Sequence, residues 1–193
     1  MKRVTLALGL LSLIVLGFAL TTLITRQAED RDQGVSVGGP FTLVDDDGKT
    51  VSDRDFSHKW LLVYFGYTHC PDACPTALTH IANAMDLLGP KAAGIVPLFI
   101  TVDPARDTPP VMHDYISAFD THIHGLSGSA DAINAVEAEY RVYAAKHPEP
   151  DGGYSMDHSS VIYVMDPKGA LAATFTHETT VDAMVAKLKE LGA

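Results

Sequence analysis

The only two cysteines of this chain, Cys70 and Cys74, fall where a strand gives way to a helix, and that position limits the fold more than any other feature. Trp60 to Phe65 has the length and the aliphatic and aromatic make-up of a buried strand, while Leu78, Ile81, Met85 and Leu88 recur at helical spacing. Pro71 fits a first helical turn, where its missing N–H costs nothing, and an i, i+4 pair projects from one helical face. Both sulfurs are therefore expected on the same side of a helix start. Its partial positive charge and free N–H groups favour thiolate over thiol. A bridge across so small a loop would remove little chain entropy, so the pair reads as a site and not as a structural disulfide.

The rest of the globular chain reads as elements around that turn. Phe41–Val44, the turn Asp45-Asp46-Asp47-Gly48 and Thr50-Val51 predict a hairpin that opens the domain. Ile95–Val102 predicts a second buried strand, interrupted by Pro97, and Thr108-Pro109 predicts the start of a helix with Met112, Tyr115, Ile116 and Phe119 on its apolar face. Ser129 caps a further helix in which Ile133, Val136, Tyr140 and Tyr143 repeat, ended by the loop 147–153. Val161–Met165 and Leu171–Phe175 predict an antiparallel pair, and Thr180 caps a last helix through Met184, Leu188 and Leu191. Alternating strand and helix, closed by a hairpin and a helix, with the cysteines at the first strand-to-helix turn, is an α/β thioredoxin-like arrangement.

Val4–Ile24 carries no charge, and about 20 apolar residues span a bilayer as a helix. It lacks the small-residue cleavage pattern of a secretory signal, so an uncleaved anchor over 1–26 is expected. Lys2 and Arg3 precede it, which keeps the N-terminus cytoplasmic and places the remainder in the periplasm or its equivalent, on a single-pass inner-membrane anchor. Residues 27–39 are polar, acidic and glycine-containing, and read as a flexible linker. Residues 40–193 make one domain of ordinary size. The whole chain carries −10; without Lys2, Arg3 and Arg26, 11 basic side chains face 24 acidic ones. That balance argues against nucleic acid as a partner.

A CxxxC spacing does not by itself separate dithiol exchange from metal binding. Two thiolates make too small a shell for a stable divalent site, so a third ligand must come from elsewhere. His158 is the candidate, because it stands at a loop-to-strand junction that such a sheet brings near the first strand-to-helix turn. Soft thiolates select Cu(I), and an added imidazole also suits Cu(II). Zinc accepts the same atoms but wants four protein ligands in a structural site. Three ligands at a surface suit a metal that is to be handed on. His122 and His124 would share a face of an extended segment but have no third ligand nearby, and read as surface histidines. The three aspartates at 45–47 lack the ligand spacing of an EF-hand and read as a solvated turn.

Tyr64–Leu78 (YFGYTHCPDACPTAL), Thr101–Pro109 (TVDPARDTP) and Asp157–Pro167 (DHSSVIYVMDP) closely resemble the three signature blocks of the Sco/SenC family of copper chaperones, in order, with agreement over most of Gly39–Leu191. The resemblance implies a thioredoxin-like domain facing the periplasm or the mitochondrial intermembrane space. It implies copper as cargo, with Cys70, Cys74 and His158 as ligands and Asp103 as an acidic neighbour of the site. It implies delivery to the dinuclear copper centre in subunit II of cytochrome c oxidase, with an upstream copper donor and a thiol reductant as further partners. A carrier is expected, not an enzyme. The alternative is a thiol-disulfide oxidoreductase that reduces the acceptor's cysteines, with Cys70 and Cys74 as its redox pair.

Overall fold

A seven-residue strand with six buried residues in a row organises the molecule. The computed structural model describes residues 36–193 apart from 121, 151 and 177. Strands β1 (Thr42–Asp45) and β2 (Thr50–Ser52) are followed by β3 (Trp60–Gly66), helix α1 (Ala73–Leu88), β4 (Ile95–Thr101) and α2 (Pro109–Ile116). Then come β5 (His124–Ser127), α3 (Ala130–Tyr140), β6 (Ala144–Pro148), β7 (Tyr154–His158), β8 (Val161–Met165), β9 (Leu171–Thr176) and α4 (Val181–Leu191). One sheet has the order β2-β1-β5-β4-β3-β8-β9, and β6 and β7 form a separate two-stranded sheet.

β3 lies inside the large sheet, parallel to β4 and antiparallel to β8, so both of its faces are covered and no alternation of polar residues is possible. Leu62, Val63, Tyr64 and Phe65 are at most 1 % exposed, and each such side chain contributes about 1.5–3 kcal/mol through burial. Successive residues point to opposite faces. Tyr64 stacks on Phe99 of β4, which meets Tyr115 of α2. Phe65 meets Tyr140 of α3 and Tyr163 of β8 on the other face. Helix α4 packs along α1. This is the thioredoxin-like α/β arrangement, with the expected N-terminal hairpin of β1 and β2.

Pro97 is tolerated in β4 because β5 pairs only with Leu98–Ile100, so no neighbour on that side requires the missing N–H. The caps expected at Ser129 and Thr180 form, their hydroxyls accepting from Ala132 N and Ala183 N.

Four local expectations are corrected. Helix α1 begins at Ala73, so Pro71 lies outside it and Pro75 occupies its third position. Helix α3 ends at Tyr140, because Arg141 turns to φ +56°. Tyr143 therefore leaves the helical face and stands 63 % exposed. The segment read as a loop at 147–153 is the end of a hairpin, in which β6 and β7 pair from Ala144↔His158 to Pro148↔Tyr154. The segment with His124 and Gly125 is a sheet strand, β5, between β1 and β4. Its histidine, glycine and serine hide it from any propensity scale. The stretch Val4–Ile24 lies outside the described residues, and among the described residues no helix is long and apolar enough to cross a membrane.

Candidate functional site

The site lies beyond the C-terminal ends of β3 and β4, where an open α/β sheet exposes a crevice between diverging loops. After Gly66 the chain turns through Tyr67 and Thr68, with Cys70 N donating to the Tyr67 carbonyl at 3.2 Å. Cys70 thus precedes the helix, and Cys74 is the second residue of α1. The sulfurs still converge, because the helix-start amide of Cys74 donates to Cys70 Sγ at 3.4 Å.

The two thiols are unlike. Cys74 is fully buried and Cys70 half-buried. The Cys74 S–H donates to Cys70, and backbone amides at Asp72 and Cys74 add to it; together they hold the Cys70 thiol well below the ordinary range against the opposing effect of burial. Cys74 moves the other way, raised by its bond to the Cys70 thiolate and by burial. The pair therefore shares one proton at neutral pH. Tyr64 OH stands 3.8 Å from Cys74 Sγ, and burial together with the thiols pushes its pKa up, so it stays a donor. Because the Cys70 pKa falls well below neutrality, its thiolate fraction does not change between pH 8 and pH 6. An ordinary thiol loses about tenfold per pH unit there. Iodoacetamide modification of the reduced metal-free protein, followed by mass spectrometry, is expected to label Cys70 at a nearly level rate over that range and to leave Cys74 unlabelled.

Gly66 is fixed by this packing. A Cβ there would lie 2.6 Å from Cys74 Sγ and 2.8 Å from the Phe99 ring, so any side chain would displace the sulfur. Asp107 ties the cysteine loop to the end of β4. It is fully buried, and its carboxylate accepts from Thr68 N at 3.0 Å, Thr68 Oγ1 at 2.6 Å and Thr101 Oγ1 at 2.6 Å.

His158 ends β7. Its Nδ1 lies 3.1 Å from the Ser159 carbonyl, an acceptor, so Nδ1 carries the proton and Nε2 keeps its lone pair. That Nε2 lies 3.5 Å from Cys74 Sγ. Tyr64 and Tyr67 meet the imidazole edge-on, with centroids at 6.2 and 5.8 Å. Cys70 Sγ, Cys74 Sγ and one nitrogen of His158 all lie within 4.8 Å of one another, so the three sequence-predicted residues come together. Two thiols and an imidazole with a free lone pair make a donor set suited to copper.

Asp103 is 1 % exposed and does not join these donors. It accepts from Tyr154 OH at 2.9 Å and from Arg106 Nε. The histidines at 122 and 124 take separate partners, His122 on Asp120 at 2.7 Å and His124 against the Phe56 ring. The aspartate turn is more than a solvated one. Asp46 accepts from Gly125 N at 3.2 Å and pairs with His113 at 3.0 Å, which fastens the hairpin to β5 and α2. With Asp47 these make a second close group, but Lys49 already occupies Asp47 at 3.1 Å. Sequence reasoning gave no separate role to Tyr64, Gly66, Tyr67, Arg106 or Asp107. All five stand inside the quoted blocks, and only their contacts single them out.

A family model described as SCO1/SenC matches residues 29–193. Protein SenC of Rhodobacter capsulatus is 38 % identical over 176 residues, which cover 86 % of this chain and 80 % of that protein. The mitochondrial SCO1 homolog 1 of Arabidopsis thaliana is 41 % identical over 150 residues, 77 % of this chain, which thus spans only 45 % of that relative. The structure of Bradyrhizobium japonicum ScoI with copper bound is 46 % identical, with a TM-score of 0.76 over 80 % of this chain and 99 % of that one. With the fold, the paired cysteines and a family match that runs from the linker to the last residue, the chain belongs to the SCO1/SenC family.

Proposed function

We propose that this chain is a membrane-anchored copper metallochaperone that binds one copper through Cys70, Cys74 and His158 and delivers it to the dinuclear copper centre in subunit II of cytochrome c oxidase. The observation that carries this reading is the convergence of one nitrogen and two sulfur donors within 4.8 Å, from segments more than 80 residues apart. Copper-bound Sco structures and the family placement support copper as the cargo. The half-exposed Cys70 side leaves the ion open to an acceptor's ligands, so transfer proceeds by ligand exchange. In this reading Val4–Ile24 is the anchor and the domain stands on the periplasmic side, reached by an upstream copper donor.

A disulfide between Cys70 and Cys74 would remove two of the three donors, so loading requires prior reduction by a thiol partner. The asymmetry of the cysteines also favours a second reading, a thiol-disulfide oxidoreductase for the acceptor's cysteines. There the Cys70 thiolate attacks an acceptor disulfide and forms a mixed disulfide. Cys74 then displaces the acceptor's thiolate, and two electrons pass to the acceptor. The test is metal analysis with absorption spectra of the reduced full chain. One copper per chain with thiolate-to-metal charge-transfer bands is the expected result; protein that stays copper-free after reconstitution, yet reduces a disulfide substrate, would establish the oxidoreductase instead.

A further inference from the structure

His158 belongs to a hairpin that the main sheet does not hold along its length. β6 and β7 pair only with each other among the described strands, so no backbone ladder joins them to the strand carrying the cysteine loop. Side chains make that junction: Met156 of β7 is buried in the core and its backbone bonds the Tyr67 side chain, and a second group of contacts meets at Arg106, in the loop after β4. Arg106 Nη1 donates to the Tyr154 carbonyl at 2.9 Å, and Nε pairs with Asp103. Asp103 in turn accepts from Tyr154 OH at 2.9 Å. The guanidinium lies 3.8 Å from the centroid of the Tyr154 ring and 5.7 Å from that of Tyr67. Tyr154 begins β7 and His158 ends it, while the Tyr67 ring is the one set edge-on against the imidazole at 5.8 Å. One planar cation therefore grips the far end of the ligand's strand and the aromatic wall beside the ligand. Its Nη2 is buried among these groups.

We propose that Arg106 is a positioning residue that fixes the β6–β7 hairpin so that His158 Nε2 stands over the cysteine pair. The proposal rests on the copper reading for its consequence, since a positioned imidazole matters most when it completes a metal site. Lysine is expected not to replace arginine here, because its compact ammonium lacks the fixed fork that reaches the Tyr154 carbonyl and Asp103 from separate nitrogens.

The experiment uses the full-length protein and its Arg106→Met, Arg106→Lys, His158→Ala and Arg106→Met/His158→Ala variants. Arg106→Met keeps the apolar stem and removes the fork. Hydrogen exchange of the metal-free proteins is expected to accelerate about 10–100-fold at Tyr154–His158 in Arg106→Met, with β3 and β8 unchanged. Cu(II) affinity is expected to fall about 10–100-fold, the range for removing a group that orients a metal ligand. The Cu(II) spectrum should move toward that of His158→Ala, Arg106→Lys should not restore it, and the double variant should lose no more than His158→Ala alone. Unchanged exchange in the hairpin overturns the clamp. Accelerated exchange with an unchanged spectrum, rescue by lysine, or additive losses in the double variant overturns the positioning role. An unshifted spectrum in His158→Ala overturns the ligand reading itself, and is told apart because it involves no change at Arg106.

Discussion

Replacing His158 with alanine is expected to lower the Cu(II) affinity of the reduced protein by at least about 100-fold, beyond the range for losing an outer partner of a metal ligand. The ring is prepared for one task. Its Nδ1 proton is committed to the Ser159 carbonyl, and two tyrosine edges fix its plane. Nε2 thus presents a lone pair to the thiols without further reorganisation, and alanine offers nothing in its place. Cu(I) should suffer less than Cu(II), because soft thiolates alone satisfy the cuprous ion while the cupric ion draws more from imidazole. Dithiol exchange should persist within a few-fold, since the Cys74 S–H and the backbone amides still hold Cys70 as thiolate. Competition titrations with a chelator in each oxidation state, alongside reduction of a model disulfide, check both halves. Retention of Cu(II) at the unmutated affinity would remove His158 from the ligand set.

Asp107→Ala is expected to destabilise the domain by about 3–5 kcal/mol, the range for breaking a buried, charge-assisted network by removing one member. Three donors, Thr68 N, Thr68 Oγ1 and Thr101 Oγ1, would lose their common acceptor, a carboxylate that is fully buried with Thr101 beneath the partly buried Thr68. Water cannot easily replace it there. For a domain of this size the loss corresponds to a fall in Tm of roughly 10 °C. Asp107→Asn should cost clearly less, about 1–2 kcal/mol, because one oxygen remains for Thr68 N and Thr101 Oγ1 while the Thr68 hydroxyl can rotate to accept from the new amide. Urea unfolding of the three proteins decides the matter. An alanine variant within 1 kcal/mol of the unmutated protein would show that the network does not hold the cysteine loop, and the prediction would fail.

The two replacements also separate what a chain reveals from what it hides. β3 was legible because burial on both faces leaves a continuous apolar run, and α1 and α4 because one apolar stripe recurs at helical spacing. β5 was not, since a four-residue strand between two neighbours takes its stability from their ladders and needs no residues of its own preference. Tyr143 misled because its spacing continues the helix, whereas the left-handed turn at Arg141 had already ended it. The hairpin of β6 and β7 was hidden for a related reason. Its residues are mostly polar and half-exposed, so no periodic pattern marks them, and it is held at Tyr154 by Arg106, a residue from outside its own sequence.

By itself the sequence determined the strands of the main sheet other than β5, the helices, the cysteine turn and the family, because these rest on local spacing and on long blocks of identity. It also named His158, but only as one histidine at a promising junction. The tertiary structure alone decided that its ring meets the sulfurs, that Cys70 and Cys74 share one proton unequally, and that Gly66, Arg106 and Asp107 support them. Those outcomes depend on distances of a few ångströms between segments far apart in the chain, and on burial, which no single stretch of residues sets for itself.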